Sequence, residues 1–292
     1  MTSMRSGRAA FFTADGRLGN QLFQAAFLDS VLEEGDRLVT LGMEDLLAGF
    51  VWDRYRLTNI RNTRPRRHFK RLLRLLGRAA VDLRVVTGYR QGKQRYEAAG
   101  ESYLLAGETV ERRNGLFDRL IYIDKGYFQN AAYANHATFR LAEPHLARPR
   151  AFIASLPPGP RAFVHVRRGD YKSWRIFGRS PLLDLDYFRR GVSLIRHAAP
   201  DTQFILLSDE IASVAPDLPG MHAFEGADVY EDFGLMTLCD GGIVSNSTLS
   251  WWGGYFCGRK LPVVSPKGWL APGLGFEYPA GITADWMTPI EP

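Results

Sequence analysis

Two periodicities alternate along the second half of the chain. Short apolar runs at 162–167, 203–208, 221–224, 242–245 and 261–265 read as strands. Between them, 186–199, 229–239 and 248–258 place apolar residues three or four apart, as helices do, with Tyr187, Val192 and Ile195 on one face. Run 203–208 is almost continuously apolar, the habit of a parallel strand covered on both faces. Strand and helix in regular alternation predict an α/β fold built on a doubly wound parallel sheet.

The first half starts the same way. Residues 9–14 read as a buried strand, Asp15-Gly16-Arg17-Leu18-Gly19-Asn20-Gln21 as a glycine turn, and Leu22, Phe23, Ala26, Phe27 and Leu28 as one side of a helix. A second strand is expected at 37–41, irregular chain or a short helix at 44–60, and helices with one strand near 120–123 within 100–145. Tyr127, Phe128 and Tyr133 suit either an acceptor groove or the core. The stretch 147–160 holds Pro149, Pro157, Pro158, Gly159 and Pro160; proline fixes φ and removes donors, so a domain break is expected there. Two domains follow, 1–150 and 151–292, with the Gly/Pro-rich tail 271–292 wrapping the surface or packing back on the first domain.

Composition sharpens this picture in three places. With 46% hydrophobic residues a full core can be buried. Cys239 and Cys257 give neither a disulfide framework nor a metal-ligand spacing, which suits a reducing compartment. No apolar leader opens the chain and no run of 18 apolar residues occurs, so a cytoplasmic location is expected. The net charge of +6 is local: 61–78 holds Arg61, Arg64, Arg66, Arg67, Lys70, Arg71, Arg74 and Arg78 and no acid, and taking those eight away leaves −2. That argues against a nucleic-acid-binding surface. Phe69, Leu72, Leu73 and Leu76 fall at i, i+3, i+4 and i+7 with cations on the other side. The pattern fits a helix with a cationic face on an anionic membrane, or a helix docked on its own domain.

Candidate chemistry sits where strands end. In Phe163-Val164-His165-Val166-Arg167-Arg168-Gly169-Asp170, Val164 and Val166 point one way and Phe163, His165 and Arg167 the other. Ligands of open α/β sheets bind beyond the carboxyl ends of strands, and a guanidinium fork there suits a phosphate. Ser208 and Asp209 end another strand, where the carboxylate suits a ribose or base edge. Ser245-Asn246-Ser247-Thr248 passes from strand to helix, offering hydroxyls, amide hydrogens and the helix dipole to an anion, or simply an N-cap. Gly16 and Gly19 allow a tight turn, with Asn20 and Gln21 at a helix start; the spacing is not the dinucleotide fingerprint. Trp251 and Trp252 suit packing. Together these predict a pyrophosphate crevice without a metal.

Three of these stretches, His165–Asp170, Gly16–Gln21 with Phe23-Gln24, and Ser245-Asn-Ser-Thr-Leu-Ser-Trp-Trp-Gly253, resemble the signature set of the α-1,2-fucosyltransferases of glycosyltransferase family 11, in family order from about residue 11 to about 270. The resemblance implies a GT-B-like architecture of two Rossmann-like domains facing a cleft, with the acceptor on the N-terminal side and GDP-fucose on the C-terminal side. It implies metal-independent inverting transfer of fucose to the 2-hydroxyl of a terminal galactose, on an oligosaccharide or lipid-linked glycan, with no cofactor. Taken with the strand-end reading of Ser208 and Asp209, it gives as donor contacts Gly19, Asn20, Gln21, His165, Arg167, Ser208, Asp209, Ser245, Asn246, Ser247 and Thr248. Arg167 would neutralise the leaving diphosphate, and Asp170 is the nearest candidate base, or else orients Arg167. Another GDP-sugar or linkage, or a non-catalytic binder on this fold, is the rival reading.

Overall fold

The computed structural model describes residues 7–61, 63 and 66–292; Arg64 lies outside the described residues, as do the side chains of Arg66 and Arg67. The chain forms two α/β units. The first takes in the chain up to Arg95 together with Leu104–Arg140; the second is Tyr96–Tyr103 with Leu141–Pro292.

In the first unit, β1 (Ala9–Thr13) lies at the centre, paired in parallel with β2 (Arg37–Leu41) and β7 (Phe117–Ile123). With β4 (Arg56–Ile60), β5 (Val86–Ala98) and β6 (Glu101–Arg113) the sheet runs β4-β2-β1-β7-β5-β6. The turn after β1 feeds α1 (Leu18–Val31), whose Leu22, Phe23 and Phe27 are buried. Phe128 stacks on Phe27 at a centroid distance of 3.9 Å and is core, and the half-buried Tyr133 meets Phe27 edge-on. Tyr127 is the exposed one. The stretch expected as irregular chain or a short helix holds the short helix α2 (Glu44–Gly49), followed by β3 (Phe50–Val51).

Residues 100–145 differ from expectation. They contain a long hairpin strand and a 3₁₀ turn at Ala131–His136, with no α-helix. The hairpin turns at Ala99 and Gly100, both at positive φ (53° and 80°), the pair of left-handed residues that a two-residue hairpin loop requires. Its charged, solvent-facing residues show no clean alternation, which hid it from the sequence pattern. The tip, 96–103, belongs to the second unit, where Tyr96 and Tyr103 pack on Phe177.

α3 (Arg66–Asp82) turns its cationic side towards its own unit. Lys70 Nζ donates to the Ala14 carbonyl at 2.5 Å, Arg74 Nε to Thr13 Oγ1 at 3.0 Å, and Arg78 Nε pairs with Asp124 at 2.9 Å. Gly77 makes the approach possible, since a Cβ there would lie 2.2 Å from the Tyr122 ring. The docking of the helix on its own domain, one of the two expected arrangements, is observed.

The second unit holds the regular alternation. After β8 (Arg140–Leu141), α4 (Ala147–Ser155) occupies part of the proline-rich stretch. Pro149 sits in its first turn, where the missing N–H costs nothing, and the passage between units falls at Arg140/Leu141, ahead of the break expected near 150. Then come β9 (Arg161–Val166), α5 (Leu185–Ala198), β10 (Gln203–Ser208), α6 (Ile211–Val214), β11 (His222–Ala223), α7 (Val229–Thr237), β12 (Gly241–Ile243), α8 (Thr248–Phe256) and β13 (Val263–Pro266). The tail adds β14 (Met287–Ile290), paired in parallel with β13, so it extends the sheet rather than only wrapping the surface. The order is β11-β10-β9-β12-β13-β14, all parallel.

Both faces of this sheet are covered. Val164, Val166, Leu206, Ile243 and Val264 pack on Tyr187, Phe188, Val192 and Ile195 of α5. On the other face Phe163, Ile205 and Leu207 are equally buried, which is why the strands read as unbroken apolar runs. Trp251 and Trp252 are fully buried, as expected for packing residues.

His165 is a polar side chain inside this core, its Nδ1 2.9 Å from Ser245 Oγ. Burial, and then the neighbouring Arg167 charge, push its pKa down from 6.5 to about 3. Between those values only the unfolded chain binds the proton. This group's contribution to stability is therefore complete above pH 6.5 and lost as pH falls, by about 1.4 kcal/mol per unit towards pH 3. His165→Gln should cost stability at pH 7.5, and its deficit in urea unfolding should shrink steadily between pH 6.5 and 4.5. A deficit independent of pH would mean that the folded imidazole titrates normally.

Candidate functional site

In the second sheet β9 is the first strand in sequence and lies between β10 and β12. The connections leave it in opposite directions, so the carboxyl ends of β9 and β12 flank a topological switch point, where open α/β sheets bind ligands. Register keeps the three strand ends level: Val166 pairs with Ser208 and Val164 with Ile243. Every candidate residue of the second unit lies on these three ends.

Arg167 leaves β9 with its guanidinium between two carboxylates. Nη2 donates to Asp170 Oδ1 at 2.7 Å and Nη1 stands 3.0 Å from Asp209 Oδ2, with the Tyr171 ring beneath at 5.8 Å. The side chain keeps 22% of its surface in solvent, so the fork is fixed but reachable. Asp170 is the open partner, its side chain 61% exposed, and Asp209 the sheltered one at 25%. Asp209 also accepts the Arg168 backbone N–H at 2.8 Å. Gly169 makes room for it, because a Cβ there would fall 2.5 Å from Asp209 Oδ2. Asp209 therefore holds the loop after β9 and its arginine. Arg168 points the other way and braces the loop before α5, donating to the Leu183 carbonyl at 3.0 Å. Ser208 Oγ accepts the Glu210 N–H at 3.1 Å and so shapes the turn after β10.

The turn from β12 to α8 divides its four polar residues by burial. Ser245 and Asn246 are buried, Ser247 and Thr248 half-buried. Ser245 Oγ meets His165, and Ser250 Oγ donates back to the Ser247 carbonyl at 3.0 Å. Asn246 Nδ2 donates to the Pro181 carbonyl at 2.6 Å. Its Oδ1 is buried with no hydrogen-bond partner among the described residues. Ser247 is the N-cap of α8 and its side chain makes no capping bond; the dipole at this helix start favours an anion.

Gly19, Asn20 and Gln21 belong to the first unit, after β1. Gly16 takes the positive φ (81°) that the turn needs. Gln21 is consumed locally: Nε2 donates to Gly16 and Gly42 carbonyls, both at 3.2 Å, and Oε1 accepts Leu46 N–H at 2.9 Å. Asn20 Oδ1 accepts from Gln129 Nε2 at 2.7 Å. Gln24 ties Asp15 to Gly126 through two bonds of 3.0 Å. This amide cluster holds the glycine turn in shape.

Two tyrosines complete the site and were not read from the sequence as part of it. Tyr171 OH donates to the Asn246 carbonyl at 3.0 Å, joining the loop after β9 to the turn after β12. Tyr187 OH donates to the Val244 carbonyl at 2.8 Å from beneath. Tyr187 sat on the apolar face of a helix and read as core, which its ring is; only its hydroxyl serves the turn. Tyr171 gave a signal by following the arginine motif directly. No group of three His, Cys, Asp or Glu side chains placed to hold a metal ion occurs among the described residues.

Comparison with known proteins agrees with the sequence signatures. The model of glycosyl transferase family 11 matches residues 119–286. An O-antigen biosynthesis glycosyltransferase, WbnK of Escherichia coli, is 29% identical over 119 residues, 37% of this chain and 38% of that protein. The match thus spans under two fifths of that curated relative. Among solved structures, fucosyltransferase NodZ from Bradyrhizobium is similar with a TM-score of 0.47 at 13% identity, covering 86% of this chain and 94% of that one. POFUT1 in complex with GDP-fucose gives 0.43 at 11%, covering 83% and 92%. With the family model covering more than half of its length, and the arginine and Ser-Asn-Ser-Thr motifs inside the match, the chain belongs to glycosyl transferase family 11.

Proposed function

We propose that the chain transfers L-fucose from GDP-β-L-fucose to the 2-hydroxyl of a terminal galactose, with inversion, on an oligosaccharide or lipid-linked glycan. Family membership supports glycosyl transfer, and the three signature motifs support the donor and linkage. The observation that carries the reading is Arg167. Its guanidinium stands at the switch point, a fixed cation with solvent access, against the ring of Tyr171, whose hydroxyl bonds to the turn ahead of α8.

The chemistry follows from charge. The bond from fucose C1 to the β-phosphate oxygen breaks, the electron pair leaves with GDP, and C1 becomes oxocarbenium-like. The acceptor oxygen attacks from the opposite face and gives up its proton. Arg167 meets the charge growing on the diphosphate, and the N-terminus of α8 adds its dipole. A fixed cation in this position takes the part a divalent ion would take, so no metal or other cofactor is needed. Two of the guanidinium contacts are spent on Asp170 and Asp209, and the rest of the fork remains for phosphate oxygens. When a diphosphate engages Arg167, the exposed Asp170 is released from its partner and is the carboxylate available to take the acceptor proton. Asp209 stays with the loop backbone. His165, held neutral, supports Ser245 from below rather than carrying charge. In the first unit Gly19, Asn20 and Gln21 belong to a turn held in one shape by the bonds of Gln21 and Asn20.

Three outcomes test this. GDP release from GDP-fucose with a galactoside acceptor should fall at least about 100-fold in kcat/KM in Arg167→Ala, the loss of about 3 kcal/mol from a charge-assisted contact strengthened in the transition state. Near-normal turnover would remove Arg167 from the mechanism, and GDP binding without any turnover of wild type would favour a binding protein. Gly169→Ala should lose about tenfold, since it displaces Asp209, while GDP binding weakens in parallel. Turnover should survive dialysis against EDTA; a requirement for added divalent ion would overturn the cation's role assigned to Arg167.

A further inference from the structure

α3 is amphipathic in the reverse sense of a normal surface helix. Its cations Lys70, Arg74 and Arg78 are turned to the protein, as described above. Its apolar stripe is turned outward: Phe69, Leu72, Leu75 and Leu76 are 47, 52, 56 and 58% exposed. The stripe continues beyond the helix. Leu83 and Val85 follow it in the chain and are exposed, as are Leu116 and Phe117, whose backbone amides bond to the Arg84 and Val85 carbonyls at 2.8 and 2.9 Å. Under the helix lies an apolar hollow of about 390 Å³, lined by Leu73 and Leu76 together with Phe11, Val39, Leu120 and Tyr122. A monomer in water gains nothing from a contiguous apolar surface of this kind, which marks an interaction face.

Charge decides what covers it. The exposed Arg71 flanks the stripe and the exposed Arg84 follows it, and 61–81 contains no acid. Asp82 is held by Arg90 and Arg113, and Asp124 by Arg78 and Arg90, which leaves the exposed Asp118 as the acid beside Phe117. A second copy meeting this face about a two-fold axis would bring the exposed Arg71 and Arg84 of the two copies together, like charge against like. An anionic bilayer offers what the face lacks: acyl chains for the leucines and phosphates for the arginines.

We propose that the outward leucine stripe of α3, with the Leu83–Val85 and Leu116–Phe117 margins, inserts into the interface of an anionic membrane, and that the arginines beside it meet the headgroups. The contact is led by apolar insertion. Of the basic residues that suggested a membrane from sequence, Lys70, Arg74 and Arg78 tie the helix down. This inference stands apart from the fucosyl reading, because vesicle binding is measured without donor or acceptor.

The test is co-sedimentation of the full chain with phosphatidylethanolamine/phosphatidylglycerol vesicles and with phosphatidylcholine vesicles. Wild type should bind the anionic vesicles, retain most binding when salt is raised from about 50 to about 300 mM, and bind phosphatidylcholine more weakly. Leu72→Glu with Leu75→Glu should reduce anionic binding at least about 30-fold. Both leucines are exposed, so the fold should persist, as circular dichroism will report. Arg71→Glu should reduce binding only about threefold. A Leu72→Trp variant should be quenched by brominated acyl chains beyond the wild-type level. The proposal is overturned if wild type does not sediment at low salt, if the double variant binds as wild type, if binding vanishes with salt, or if light scattering shows a dimer that the double variant disperses.

Discussion

One arginine held between two acids at the end of a central strand is the constraint around which the second unit is arranged. A guanidinium alone at that position would be free to swing. Asp209 fixes it from β10, and also fixes the backbone of the next residue. Asp170 meets it from its own loop. A Cβ at Gly169 would force the Asp209 carboxylate to move. Tyr171 then fastens this loop to the turn ahead of α8. Each contact is modest alone, yet they share partners, so the loop has one arrangement in which all are met.

The support below the site is apolar. Strands buried on both faces leave little room for polar groups; among those admitted, His165 meets Ser245 and Tyr187 meets the carbonyl of Val244. The neutrality of His165 is a consequence of that burial and of Arg167 above it. A charged imidazole there would compete with the arginine for the same anion-binding role at the cost of its own desolvation.

How far the sequence reveals this depends on which force sets each element. The second sheet was legible because continuous burial writes unbroken apolar runs, so 203–208 and its neighbours fall where the strands are. The ends of β9, β10 and β12 were legible because polar residues directly after such runs fall where open α/β sheets bind ligands. The hairpin β5–β6 was not: its residues face solvent and its pairing is set by the two left-handed residues at Ala99 and Gly100, of which alanine gives no signal. The orientation of α3 was not legible either. Periodicity shows that a helix has two faces, but which face docks depends on acceptors such as the Ala14 carbonyl and Asp124, far away in sequence. Likewise Asn20 and Gln21 announce a special turn, while their partners Gln129, Gly42 and Leu46 are visible only in three dimensions.

The path of the chain through the two units carries a further meaning. Residues 96–103, the end of a hairpin rooted in the first sheet, are counted with the second unit, where Tyr96 contacts Phe177, Phe276 and Tyr278 and Tyr103 adds a fifth ring. The polypeptide thus passes into the second unit, leaves it and returns. A fragment beginning at Leu141 would be born without two of those five aromatic side chains, exposing the remaining three to water. Evolution by swapping one half of such a protein for a homologous half has to carry that small loan of sequence with it, or lose the cluster it completes.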